Sequence, residues 1–360
     1  MESLLDKARK IINEVDAEMA VLFERRMRAA EMVAEYKKER GLPILDAARE
    51  EEVIRRGAER IADEAIKAHY VNFLKSTMKV SRQYQANLME GMRVAYSGTV
   101  GAFSYIAADR LYPTATKVAF PDFVSAYRAV EKGECDVCVL PVENSSNGEV
   151  GQVTDLIFSG SLYVNEMFDL AVSQDLLCVK GATIEDVREV VSHPQALGQC
   201  AEYIRKRGFA QREFSNTALA AKEVAERGDK SVAAIASADA AEIFGLDVLE
   251  RNINASKSNT TRFAVFSRVA CKRSGANMHS ILVFTVRNEA GALARAIDVI
   301  GNYGFNMRTL RSRPMKELLW QYYFYVEAEG DVQTERGRSM MEALGEFCDK
   351  LKFAGAYTEI

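Results

Sequence analysis

The chain has 360 residues, of which 48% are hydrophobic, 27% charged and 9% aromatic, with a formal net charge of -4. That length exceeds what one small core organises, and the composition excludes disorder, collagen and low-complexity polymer. The nearly balanced charge gives no overall electrostatic reason to bind nucleic acid or an anionic membrane, so small-molecule partners are expected.

The first residues, MESLLDKARK, lack an apolar signal core with a small-residue cleavage site, and no run of 18 apolar residues follows. Secretion and membrane spanning are therefore not expected, and a cytoplasmic location is the default. From Ser3 to Arg40 there is no Gly or Pro, and Leu4, Ala8, Ile12, Val15, Met19, Leu22, Ala30 and Val33 recur close to the helical period. One long helix follows. Its length of about 57 Å at 1.5 Å per residue is more than two short helices can cover, so its stripe is expected to bury against a second copy in an intertwined dimer. Gly41 and Pro43 end it, Asp46 reads as the N-cap of a second helix, and a third helical stretch runs from Ala68 to Leu88. Residues 1–90 thus read as an all-α three-helix domain.

Arg26 and Lys37 fall on the apolar stripe, where a charge costs several kcal/mol unless a partner compensates it, so something anionic is expected beside them. They share a face, about 16 Å apart along the axis. Arg9 lies about 25 Å further back and a quarter-turn away, out of reach of the same ligand but available to the other copy's site. Ser81 and Gln85, four apart, share a face of the third helix, and Arg49 and Glu50 begin the second; all four could line the same cavity. The alternative is that the cations pair with acidic neighbours at a dimer seam while Ser81 and Gln85 lie at the surface.

After Gly91, short β-rich runs (RVAYSG, KVAF, DVCVLPVEN, VREVVS) alternate with helical stretches to about Arg268, which makes residues 91–270 an α/β domain. The six cysteines are scattered, as suits reduced thiols. Cys135 and Cys138 have CxxC spacing, but they sit in a buried-strand pattern with no second pair to complete a zinc site, so no metal is expected. Four strands end in polar turns that open helices: GTVGAFS, ENSSNGEVGQ, SHPQALGQ and SNTALAA. Several helix N-termini aimed at one cleft make a site for a small dianion. Taken singly each turn reads as ordinary capping, with Ser192 and Gln195 as a capping box and Asn216 and Thr217 as caps. None has a dinucleotide or P-loop fingerprint, and no cofactor is called for. CKRSGANM reads as a linker, and residues 277–360 give strand, helix, two strands, helix from Thr334 to Lys350 and a last strand, which is the ferredoxin-like α+β plan.

The set Arg9, Arg26, Lys37, Asp46, Arg49, Glu50, Ser81 and Gln85 resembles the all-helical chorismate mutase family over residues 1–90, with one deletion before Ser81. The resemblance implies a Claisen rearrangement of chorismate to prephenate. Arg26, Arg49 and Arg9 of the other copy would hold the carboxylates, Glu50 and the backbone near Asp46 the ring hydroxyl, and Lys37 and Gln85 the ether oxygen. The segments PVENSSNG, SHPQALGQC and SNTTRF resemble prephenate dehydratase over residues 92–270. This implies a two-lobed fold like that of periplasmic binding proteins, and conversion of prephenate to phenylpyruvate with loss of carbon dioxide and water. Thr261 would assist departure of the ring hydroxyl, Arg262 would support the site, and Ser104, Asn144, Ser145, Ser192, Gln199 and Phe263 match substrate-contacting positions. His193 is read as structural. The first loop, Gly98-Thr99-Val100-Gly101-Ala102, departs from the family's Gly-Pro-x-Gly-Thr and loses the hydroxyl at position 102.

The turn Gly291-Ala292-Leu293 in the ferredoxin-like segment resembles an ACT regulatory domain, whose phenylalanine site is built from this turn and a Glu-Ser-Arg-Pro motif. Here the motif reads Arg311-Ser312-Arg313-Pro314, which reverses a charge. The implied effector residues are Gly291, Ala292, Leu293, Ser312, Arg313 and Pro314; the alternative is a domain that only dimerises. Together the resemblances imply a bifunctional, cofactor-free enzyme of phenylalanine biosynthesis, a homodimer or higher homo-oligomer. Its partners would be chorismate, prephenate and phenylalanine, with no nucleic acid and no membrane. An amino-acid-responsive anion sensor without catalysis, or an enzyme with only one of the two activities, are the competing readings.

Overall fold

A computed structural model describes residues 3–255, 259–271, 277–315 and 322–358. Ser258 of SNTTRF, most of the expected linker and residues 316–321 lie outside them. The chain divides into two compact units, one ending at Arg93 and the other running from Val94.

The first unit is three helices, α1 (Leu4–Arg40), α2 (Ala47–Ala58) and α3 (Glu64–Glu90). Ser3 and Asp6 close a capping box on α1, which stops at Gly41 in the left-handed conformation (φ 62°). Asp46 caps α2 as expected, accepting the Arg49 amide at 3.0 Å. The third helix starts four residues earlier than the periodicity suggests because Asp63 accepts the Ala65 amide at 2.9 Å and sets the boundary. Helix α3 packs along the C-terminal half of α1, through Arg26, Glu31 and Lys38, while α2 packs on α3. Ala30 and Ala34 are its only buried residues, whereas Leu4, Ile11, Ile12, Val15 and Leu22 are exposed within this chain.

The second unit opens with β1 (Arg93–Ser97), α4 (Phe103–Leu111), β2 (Thr116–Phe120), α5 (Phe123–Lys132), β3 (Val137–Asn144), β4 (Gly148–Glu149), α6 (Gly151–Ser159) and β5 (Tyr163–Ala171). The chain then crosses into a second lobe of β6 (Asp175–Cys178), β7 (Glu189–Ser192), α7 (Pro194–Gln199), α8 (Ala201–Arg207), β8 (Ala210–Glu213), α9 (Thr217–Arg227), β9 (Val232–Ala236), α10 (Ala238–Phe244) and β10 (Asp247–Glu250). It returns through β11 (Thr260–Ser267) and ends in β12 (Met278–Thr285), α11 (Ala292–Asn302), β13 (Asn306–Pro314), β14 (Tyr322–Glu329), α12 (Glu335–Gly345) and β15 (Lys350–Thr358). The last helix is shorter than expected, because Asp349 and Lys350 are already tied to Thr285 on β12.

In the second lobe the sheet order is β10-β6-β9-β7-β8, with an apolar cluster on each face. The larger sheet runs β13-β14-β12-β15-β5-β11-β3-β1-β2. Its first four strands are the βαββαβ segment in ferredoxin-like order, and they continue the first lobe's sheet where β15 meets β5 in parallel. The junction is one residue wide. Gly355 (φ 137°) pairs with Val164 so closely that a Cβ would collide with the Val164 backbone. Behind it a single apolar cluster joins Val164, Ala264 and Phe266 of the lobe to Ile281, Val283, Tyr325 and Ala354 of the C-terminal strands. Cys135 and Cys138 are buried in that cluster, and burial pushes the Cys138 thiol well above its ordinary range.

Candidate active sites

In the helical unit, Arg26 and Lys37 line one cavity of about 200 Å³ together with Asp46 at the cap of α2, Arg49 and Glu50 of α2, and Ser81 and Gln85 of α3. Val33, Ile44, Val53 and Met78 supply its apolar wall. Ser81 and Gln85, 5% and 9% exposed, are inside the cavity, not on the surface. Each cation has a local partner. Arg26 donates to the Ser81 hydroxyl and, at 3.4 Å, to the Thr77 carbonyl; Lys37 donates to the Ile44 carbonyl at 2.5 Å; Arg49 pairs with Glu52 and Glu50 with Arg82. Burial holds the Arg26 guanidinium below its ordinary value, because desolvation disfavours its charge. The side-chain oxygen of Gln85 is buried with no hydrogen-bond partner among the described residues. Arg9 does not line the cavity. Arg82 does, and its spacing from Met78, Ser81 and Gln85 along one helix face is the signal that would have found it.

The second unit carries a cleft of about 550 Å³ between its lobes, lined from the first lobe by Ser104, Asn144, Gln152, Thr261 and Phe263 and from the second by Gln174, Gln195, Gln199 and Asn216. The N-terminal ends of α4, α5, α6, α7 and α9 all reach it, through Phe103, Phe123, Gln152, Gln195 and Thr217. No described lining residue is Arg or Lys, although Asp122 and His193 line it, so an anion here would be held chiefly by backbone amides and helix dipoles. At its centre β3 and β11 pair with Asn144 opposite Thr261. The Asn144 amide donates to Thr261 Oγ1 at 2.9 Å and to Asn259 Oδ1 at 2.8 Å, while its oxygen accepts the Ser146 and Asn147 amides at 3.0 Å each. Because Thr261 Oγ1 already accepts a hydrogen bond, its own proton is available to donate.

Three expected cleft residues are elsewhere. Strand alternation puts Thr261 and Phe263 toward the cleft and Arg262 behind it, where its guanidinium binds Asp169 at 3.0 Å and lies 3.9 Å from the buried Glu327; those carboxylates raise its pKa further. Arg262 is an anchor between strands, not a cleft group. Ser192, fully buried at the end of β7, donates to the Ile235 carbonyl at 2.5 Å, and the cap of α7 is His193, whose Nδ1 accepts the Gln195 amide at 3.2 Å. Ser145 is turned toward Thr260, accepting its amide at 2.9 Å. Gln174, Asn259, Gln152 and Asn147 were missed; neutral amides carry no spacing signal, although Asn259 sits inside the SNTTRF motif.

The C-terminal candidates are not gathered in one place. Leu293 borders a cavity of about 300 Å³ with Asn288, Glu289, Phe324 and Asp349, whereas Pro314 borders another with Phe158 and Tyr323. Arg313 is engaged by Asp155 at 3.0 Å and Glu149 at 3.5 Å, and Ser312 is exposed. Gly291, in the left-handed conformation, opens α11, with Ala292 buried behind it.

The chain thus carries two cavities suited to small anions, one in the helical unit lined by several cations and one between the lobes of the second unit lined by helix ends. Residues 8–86 match the Chorismate mutase type II family and residues 94–270 the Prephenate dehydratase family. The chain is 32% identical to the bifunctional chorismate mutase/prephenate dehydratase of Neisseria gonorrhoeae over 99% of its own length and 98% of the relative's. Among solved structures, a prephenate dehydratase from Arthrobacter aurescens in complex with L-Phe superposes with a TM-score of 0.67 at 25% identity, over 74% of this chain and 90% of that one. A protein described as a quorum-quenching acylase superposes with a TM-score of 0.69 at 30% identity, over 74% of this chain and 98% of that one. The chain belongs to the bifunctional chorismate mutase/prephenate dehydratase family.

Proposed function

We propose that the helical cavity rearranges chorismate to prephenate and that the interlobe cleft converts prephenate to phenylpyruvate. The observation that carries this reading is the pairing of Asn144 with Thr261 at the centre of a cleft ringed by helix N-termini, on the same chain as a cavity holding Arg26, Lys37, Arg49 and Gln85.

A pericyclic rearrangement needs no nucleophile and no acid or base. It needs a compact conformer and positive charge beside an oxygen that becomes more negative in the transition state. Arg26 and Arg49 exchange their local partners for the substrate carboxylates, with Arg9 of a second copy completing the grip. Glu50 and the backbone at Asp46 hold the ring hydroxyl, and Lys37 and Gln85 face the ether oxygen. In the cleft, aromatisation drives the loss of carbon dioxide. The helix ends hold the carboxylates, and Thr261 donates its proton toward the departing hydroxyl, acting as a hydrogen-bond donor or relay, since its own acidity is low.

Two variants separate the sites. Lys37→Ala is expected to lower mutase turnover about a hundredfold with little change in KM while dehydratase turnover holds. Thr261→Ala is expected to do the reverse, by about a hundredfold. Turnover within a few-fold of wild type in either variant removes that residue from its role.

The exposed apolar stripe of α1 supports an intertwined dimer, and the segment 277–360 reads as an ACT domain that binds phenylalanine at the Gly291–Leu293 turn. There the α11 N-terminus suits the carboxylate and Glu289 or Asp349 the ammonium. Calorimetry with phenylalanine is expected to show binding that Leu293→Asp removes; no heat at millimolar concentration would leave the segment an assembly element.

A further inference from the structure

Glu143 and Glu149 are register partners across the narrow β3–β4 pair, so two carboxylates face each other at the base of the turn that carries Asn144, Ser146 and Asn147. Facing like charges destabilise such a pair. What offsets them comes from the far end of the sequence. Arg311 and Arg313, two apart and therefore on one face of β13, reach Glu143 at 2.6 Å and Glu149 at 3.5 Å. Arg311 is only one-fifth exposed and lies over the Tyr325 ring, 5.9 Å from its centroid, so both its charge and its plane are held. Arg313 is fixed in turn by Asp155, which also accepts the Tyr323 hydroxyl at 2.8 Å. On the other side of Glu143, its β11 register partner Arg262 is bound to Asp169 and faces Glu327, which the Tyr325 and Tyr357 hydroxyls hold at 2.5 and 2.9 Å.

The alternation of β3 and β11 turns this into a two-sided device. Asn144 and Thr261 face the cleft; the neighbouring pair, Glu143 and Arg262, faces the C-terminal strands. We propose that Arg311 is a positioning residue for the dehydratase reaction: by cancelling the Glu143–Glu149 repulsion it holds the Asn144–Gly148 turn closed and so keeps Thr261 oriented. This rests on the assignment of the cleft as the dehydratase site. It also gives the reversed charge at position 311 a role in this chain, because an acid there would set a third carboxylate beside the other two.

The test is Arg311→Gln, Arg311→Lys and the double variant Arg311→Gln/Glu149→Gln in the full chain, with mutase turnover of the same sample as the internal control. Arg311→Gln is expected to lower dehydratase kcat about tenfold with KM within about twofold, and to speed hydrogen exchange at the Ser146 and Asn147 amides. Arg311→Lys keeps both near wild type, and the double variant recovers most of the loss, because removing one carboxylate removes the repulsion. A merely structural arginine would lower stability without this rescue. Unchanged exchange at 146 and 147 in Arg311→Gln, or a double variant no better than the single, overturns the proposal. A wild-type chain without dehydratase turnover would instead sink the assignment of the cleft, and the exchange measurement would still decide the positioning role.

Discussion

Asn144 decides which way the Thr261 proton points. As an amide it donates to Thr261 Oγ1 and leaves the hydroxyl proton for the cleft. A carboxylate would instead accept that proton, and it would also lose the bond to Asn259 Oδ1. Asn144→Asp is therefore expected to cost dehydratase turnover about as much as Thr261→Ala, roughly a hundredfold, while mutase turnover is unchanged; a variant of near wild-type turnover would show that the orientation is set elsewhere. At this scale the sequence identified Thr261, Asn144, Gln199, Ser104 and Phe263 as residues that the cleft brings together. It misplaced Arg262, Ser145 and Ser192, because motif membership does not say which strand face a residue occupies. Period-two alternation through β11 would have separated Arg262 from its neighbours.

Among the elements, α1 asks for a partner most plainly. Five or more large apolar residues of its first half stand exposed within this chain, and burying each fully is worth about 1.5–3 kcal/mol. The full chain is expected to sediment as a dimer or a larger even assembly, and Ile12→Asp/Val15→Asp to dissociate it and to lower mutase turnover by removing the second copy's Arg9. A wild-type monomer with full mutase turnover would contradict the intertwined dimer. Element identity was legible wherever periodicity was sustained, as in α1, the strands of the α/β lobes and the βαββαβ order. Boundaries were not, since Asp63, His193 and the Thr285 contacts at Asp349 and Lys350 decide them through hydrogen bonds that no hydropathy pattern records.

Across the molecule, a net charge of -4 conceals two different solutions to binding small anions. The helical cavity concentrates side-chain cations, and the cleft uses helix ends with no described Arg or Lys on its walls. The sequence could not reveal that the C-terminal strands continue the sheet of the first lobe, because that junction is one residue pair, Gly355 with Val164, joining segments nearly two hundred residues apart. The same continuity brings Arg311 to Glu143 and ties the last strands to the cleft. The measurement that tests the whole account most directly is a coupled assay of the purified chain supplied with chorismate alone, with prephenate and phenylpyruvate followed separately. Two working centres predict steady formation of phenylpyruvate; accumulation of prephenate alone would leave only the helical site active, and no conversion of chorismate would contradict the account altogether.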